Sequence, residues 1–142
     1  MRGVSMSIKR ILIVCQGNTC RSPMAAAIAS SLLGAAAEVQ SAGLDTADGL
    51  RPTNQALTVM KEMGLDINHH RSRSLRRQDL TSFDLIIAMT PSIVSELCAM
   101  GADSKKILGL NISDPYGESI EVYRITANEI LGELKQTIKK HI

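Results

Sequence analysis

Four short apolar runs alternate with stretches of helical period along this chain, and the alternation itself points to an architecture. Ile8 to Val14 is rich in β-branched residues, Phe83 to Met89 and Lys106 to Leu110 are similar, and Glu38 to Ala42 is a weaker fourth. Runs this short and this apolar suit buried strands. Between them Pro23 to Leu33, Thr53 to Met63 and Pro91 to Met100 read as helices, each closed by a glycine, Gly34, Gly64 and Gly101. Glycine ends a helix by taking the left-handed conformation at little steric cost. From Ser119 onward Ile120, Tyr123, Ala127, Ile130, Leu134 and Ile138 recur at intervals of three and four, which predicts a long amphipathic helix. Strands alternating with helices imply a parallel sheet joined by right-handed crossovers. The pattern predicts an α/β fold, a three-layer sandwich with a four-stranded parallel sheet, flavodoxin-like in character and built as a single domain over residues 8–142. Residues 1–7 lack any apolar period and hold two possible start methionines, so they read as a disordered leader or cloning remnant.

Composition narrows the function classes. At 142 residues the chain can bury a core unaided, and 44% hydrophobic with 21% charged residues excludes a disordered chain. Sixteen basic against 14 acidic residues leave a net charge of +2, too balanced to imply nucleic acid or a membrane surface. The apolar stretches fall far short of the roughly 20 residues that span a bilayer. Leu12-Ile13-Val14-Cys15 is a poor lipoprotein anchor, since bulky residues precede the cysteine. Three cysteines, an odd number, suit a reducing cytoplasm better than a disulfide framework. The basic run from His69 to Arg77 reads as a solvated loop, with nucleic-acid binding second and no aromatic interleaving to favour it. His69 and His70 lack companions that would complete a ligand set, so neither a metal nor a cofactor is expected. Cys98 is expected to be a buried structural cysteine, and the methionines to be core filler.

The chemistry gathers after the first strand. Cys15-Gln16-Gly17-Asn18-Thr19-Cys20-Arg21-Ser22-Pro23 joins strand to helix at the carboxyl end of a strand, where open α/β sheets place ligands. Ser22 reads as the helix N-cap and Pro23 as its first residue, which leaves unpaired N–H groups facing the loop. Such a terminus binds anions. Gly17, and Asn18 likewise, permit the left-handed step that turns successive N–H groups inward, and Arg21 offers a bidentate fork for phosphate. The same field favours the thiolate of Cys15, to which Ser22 can donate. Cys20 could trap an oxidised Cys15 as a disulfide. Asp114-Pro115 alone reads as a turn, but expelling a group from phosphorus requires a proton, and Asp114 can supply it.

These residues resemble the signature of the low-molecular-weight protein tyrosine phosphatase family. Ser41-Ala42-Gly43, His70-Arg71-Ser72-Arg73, Phe83 to Met89 and Asp114-Pro115-Tyr116 follow in that family's order, so the resemblance covers the chain from about Ile8. It implies the family's fold and a metal-free, two-step phosphatase working through a phosphocysteine. By resemblance Cys15 is the nucleophile, Arg21 binds the transition state and Asp114 is the general acid. Asn18, Ser41 and His70 hold the loop, and Gln16, Gly17, Thr19, Cys20 and Ser22 complete it.

Substrate choice rests on fewer residues. Phosphotyrosine recognition usually sandwiches a ring between aromatic walls, whereas here Leu44 follows Ser41-Ala42-Gly43 and only Tyr116 remains to stack; Thr19, Leu44 and Tyr116 are the expected substrate-pocket residues. Thr19 and Asp114-Pro115-Tyr116-Gly117 resemble the branch acting on protein phosphoarginine, where Thr19 reduces bulk beside phosphorus and Asp114 pairs with a cationic leaving group. Phosphorylated proteins are the expected partners, with phosphoarginine favoured and phosphotyrosine the alternative. Arsenate reduction and a non-catalytic phosphate-binding module rank lower: Pro23 stands where reductases commonly carry glutamine, and Cys98 lacks a close cysteine partner.

Overall fold

In the computed structural model, which describes residues 8–141, four strands form one parallel sheet in the order β2-β1-β3-β4. The strands are β1 (Arg10–Cys15), β2 (Glu38–Gly43), β3 (Leu85–Ala88) and β4 (Ile107–Gly109). Ile11 to Cys15 of β1 and all of β3 are buried, as expected of central strands covered on both faces. The expected strand positions are met, each within two residues. Just before β3 the Asp84 N–H donates to the Arg10 carbonyl at 2.8 Å, while its carboxylate accepts the N–H groups of Lys9 and Arg10, both at 2.9 Å, and pins the entry to β1.

The helices are α1 (Arg21–Leu33), α2 (Asn54–Glu62), α3 (Pro91–Ala99) and α4 (Ile120–His141). Gly34, Gly64 and Gly101, the three closing glycines, all have positive φ. Thr53 and Thr90 cap α2 and α3 by accepting N–H bonds from Ala56 and Ile93. From β1 the chain crosses to β2 on one side, and from β3 to β4 on the other. Right-handed crossovers in opposite directions set α1 and α3 on opposite faces, with α4 packed beside α1. The three layers enclose one core, whose largest fully buried side chains include Tyr123, Phe83, Met24, Met60 and Met89.

Two readings need correction. Cys98 is exposed, because α3 buries Ile93 and Leu97, and the next residue is rotated about 100° away from that face. The basic run is a solvated loop only in part: His69, Arg71 and Arg76 are exposed, but Ser72 and Leu75 are buried, and the Arg73 guanidinium donates to Gln40 and Gln78. The reading of residues 1–7 as a leader falls outside the described residues.

Candidate active site

β1 lies where the strand order changes direction, and the segment leaving its carboxyl end occupies the crevice that such sheets offer to ligands. Asn18 organises that segment. It is fully buried and takes the left-handed conformation at φ 56°, a step asparagine tolerates better than most non-glycine residues. Gly17 does not take it, and a Cβ there would meet only Thr19 Oγ1 at 3.7 Å. The Asn18 amide donates to Ser22 Oγ at 2.7 Å and Ser41 Oγ at 3.0 Å, while its Oδ1 accepts the Arg73 N–H at 2.8 Å. Its backbone carbonyl lies 2.8 Å from His70 Nε2. Burial holds the His70 pKa below its usual value, so the ring is neutral near pH 7 and its Nε2 carries the proton donated to that carbonyl.

One consequence of the Asn18 network concerns sulfur. An amide NH2 only donates, so Ser22 Oγ accepts from Asn18 and keeps its own proton for Cys15 Sγ, 2.9 Å away. The Asn18 N–H also points at Cys15 Sγ, at 3.2 Å. Two donors therefore converge on one sulfur. Ser22 serves this purpose and not the N-cap, because α1 begins at Arg21 and Cys20 occupies the cap position without a side-chain bond.

Arg21 and Asp114 meet in the same cleft. Arg21 Nη1 donates to the Ile112 carbonyl at 2.9 Å, and Nη2 stands 3.6 Å from Asp114 Oδ2. The remaining guanidinium nitrogen, Nε, is buried without a partner among the described residues. Asp114 Oδ1 accepts the Tyr116 N–H at 3.0 Å, so the turn anticipated for Asp-Pro exists and presents the carboxyl. Cys20 Sγ lies 3.7 Å from the same oxygen. Burial first, and then the negative charges of Asp114 and Cys15, push the Cys20 thiol up to about 11.

Around these groups is a cleft of about 470 Å³, the size of a site for one side chain. Cys15, Gln16, Gly17, Thr19, Cys20 and Arg21 line it on the loop side, with Asp114 and Tyr116 beyond. Leu44 does not line it. That residue is partly packed against the core and borders a neighbouring groove with Arg76, Glu96 and Met100, while Asp45, Thr46, Ala47 and Leu50 form the wall. The strand-like bond from the Leu44 N–H to the Cys15 carbonyl, 2.9 Å, carries the β2 alternation one residue further and turns Leu44 away.

Sequence reasoning missed Gly43 and the Arg73 backbone as structural parts of the site. A Cβ on Gly43 would stand 2.7 Å from Thr46 Cγ2, 3.0 Å from Asn18 Cβ and 3.1 Å from Asn18 N. A glycine at the carboxyl end of a predicted strand beside a ligand loop was the available signal.

Residues 10–141 match the model of the low molecular weight phosphotyrosine protein phosphatase family. The chain belongs to that family. It is 37% identical over 131 residues to a protein-arginine-phosphatase of Geobacillus stearothermophilus, covering 85% of this chain and 88% of the relative. It is also 35% identical to arsenate reductase 1 of Staphylococcus epidermidis, over 92% of this chain and 96% of that one. Among solved structures, the low molecular weight protein tyrosine phosphatase from T. tengcongensis superposes with a TM-score of 0.86 at 39% identity, covering 93% of this chain and 99% of that one. Family members so related carry three different names, and the choice among them falls to the cleft.

Proposed function

We propose that this cysteine-dependent phosphatase of the low-molecular-weight family hydrolyses phosphoarginine in proteins, with Cys15 as nucleophile, Arg21 as the phosphate clamp and Asp114 as general acid. The buried, unpartnered Nε of Arg21 carries the reading. A guanidinium N–H left unpaired inside a protein costs free energy unless a ligand accepts it, and a phosphoryl oxygen seated above Cys15 would do so. In the first step Cys15 Sγ attacks phosphorus, the bond to the leaving nitrogen breaks, and Asp114 delivers a proton to that nitrogen. In the second step a water deprotonated by Asp114 attacks the phosphocysteine, and the departing thiolate is received by the Ser22 hydroxyl and the Asn18 N–H. The chain's own residues supply nucleophile, cradle and acid, so we read the reaction as metal-free.

Phosphoarginine is favoured by the cleft walls. Tyr116, 68% exposed, is the one aromatic residue lining the cleft among the described residues, and Leu50, Thr46 and Asp45 line it without offering a second ring. Thr19 lines the loop side of the cleft with a small hydroxyl-bearing side chain. Relatives named protein-arginine-phosphatase support the same choice, while a relative named as a tyrosine phosphatase supports phosphotyrosine as the second reading. Arsenate reduction is disfavoured because Cys98, the one cysteine apart from Cys15 and Cys20, is exposed on α3 and does not line the cleft. We place the protein in the cytoplasm, a reading supported by its three free thiols. Among the described residues no helix is long and apolar enough to cross a membrane.

The test is a comparison of kcat/KM on phosphoarginine and phosphotyrosine proteins for the wild type and Thr19→Ile. The added ethyl branch crowds the phosphorus and removes a hydroxyl, while β-branching keeps the local backbone preference. The phosphoarginine-to-phosphotyrosine ratio should exceed one in the wild type and fall roughly 10- to 100-fold in the variant, as expected for one polar or steric contact worth about 1–3 kcal/mol. Equal changes on both substrates would remove Thr19 as selector.

A further inference from the structure

The wall that replaces an aromatic ring carries a charge. Asp45 lines the cleft, is exposed, and its carboxylate has no hydrogen-bond or ion-pair partner among the described residues. Its backbone is nonetheless fixed. The Asp45 N–H donates to the Gln16 carbonyl at 2.9 Å, and the Leu44 N–H to the Cys15 carbonyl at 2.9 Å, so the segment is stitched directly to the loop that bears the nucleophile. Further along, Ser72 Oγ donates to the Ala47 carbonyl at 2.6 Å and accepts the Leu50 N–H at 2.8 Å, which ties down the rest of the wall. An unpaired carboxylate on a braced backbone is a preorganised acceptor.

Sheet order sets its position relative to the other carboxylate of the cleft. The segment bearing Asp45 follows β2 and the segment bearing Asp114 follows β4, and these strands lie on opposite sides of β1, whose loop forms the cleft floor. A cationic floor at Arg21 is thus flanked on both sides by carboxyl groups. That pattern mirrors a phosphorylated guanidinium group, which carries an anionic phosphoryl group and a delocalised cation one bond apart. It opposes an aryl phosphate, whose ring offers no cation to either wall.

We propose that Asp45 is a specificity-determining residue that accepts the outer N–H groups of an N-phosphorylated guanidinium and disfavours uncharged aryl leaving groups. The proposal rests on the phosphoarginine reading above. An exposed carboxylate interacts through water, so its share in selection weakens as salt rises.

The experiment measures kcat/KM of the full chain, its Asp45→Asn and its Asp45→Lys variants on one peptide bearing either phosphoarginine or phosphotyrosine, at about 0.02 M and about 0.5 M NaCl. At low salt the phosphoarginine-to-phosphotyrosine ratio should fall about two- to fivefold in Asp45→Asn and further in Asp45→Lys. The wild-type ratio should shrink at high salt, and that of Asp45→Asn should shrink much less. Ratios within twofold of wild type in both variants, with wild-type turnover of phosphoarginine intact, would overturn the role of Asp45 alone. Wild-type turnover of phosphotyrosine with none of phosphoarginine would overturn the substrate reading and this inference with it.

Discussion

Asn18 makes more of the site than any other single residue, and it does so without facing the cleft. One buried side chain orients Ser22, braces Ser41 and receives the Arg73 backbone, and the left-handed turn at its own Cα aims its N–H at Cys15 Sγ. Replacing it would break several buried bonds at once, because satisfied polar networks fail together. Cys20 shows a residue whose environment changes its expected chemistry. The spacing alone proposes it as a trap for oxidised Cys15, yet its thiol is pushed up to about 11, chiefly by burial. Near pH 7 only about one molecule in ten thousand then carries the attacking thiolate. Oxidising Cys15 to a neutral sulfenic acid removes only the third of the causes that raise it. A Cys15–Cys20 linkage formed by peroxide, with hydroxide leaving the sulfenic sulfur as the Cys20 thiolate attacks, should therefore speed up about tenfold for each pH unit between 7 and 9. Mass mapping of quenched peptides over time gives that rate, and a pH-independent rate would show that Cys20 is not limited by deprotonation.

Elements carry the site by ending where they do. β1 delivers Cys15 at its last residue, α1 starts at Arg21, and β2 finishes at Gly43, close enough to touch Asn18. Gly43→Ala tests this convergence. The new Cβ would press on Asn18 Cβ and N and on Thr46 Cγ2, displacing backbone as well as side chain. Overpacking of this kind costs about 1–3 kcal/mol. The variant should lose that much in urea unfolding and at least tenfold in kcat, with KM changed less. A normal kcat beside lowered stability would show that the β2 end supports the fold but not the loop. Element type and order were legible in the sequence because β-branched runs and closing glycines report local backbone preferences. What escaped was which way a side chain turns at an element end. Leu44 is expected in the cleft and faces a neighbouring groove, Ser22 is the anticipated donor to the cysteine but not the N-cap, and Cys98 is expected in the core yet stands exposed one residue past the buried Leu97. These outcomes depend on tertiary contacts that no local pattern encodes.

At the scale of the molecule, a parallel sheet with crossovers in opposite directions makes one crevice, and segments from β1, β2 and β4 supply its floor and walls. The loop chemistry was legible because cysteine, arginine and serine stand at fixed offsets where a strand meets a helix. The acidic wall at Asp45 was not, since its place depends on how the segment after β2 folds back over the loop. If phosphate passes through Cys15 Sγ as proposed, it can be caught there. Asp114→Asn, which should slow hydrolysis if Asp114 activates water as proposed, is mixed with a nitrophenyl phosphate whose leaving group needs little protonation, quenched in acid within milliseconds and mapped by peptide mass spectrometry. Phosphate on the peptide containing Cys15, absent when Cys15 is replaced by alanine, is the predicted result; a burst of nitrophenolate with phosphate on any other residue, or turnover that survives Cys15→Ala, would contradict it.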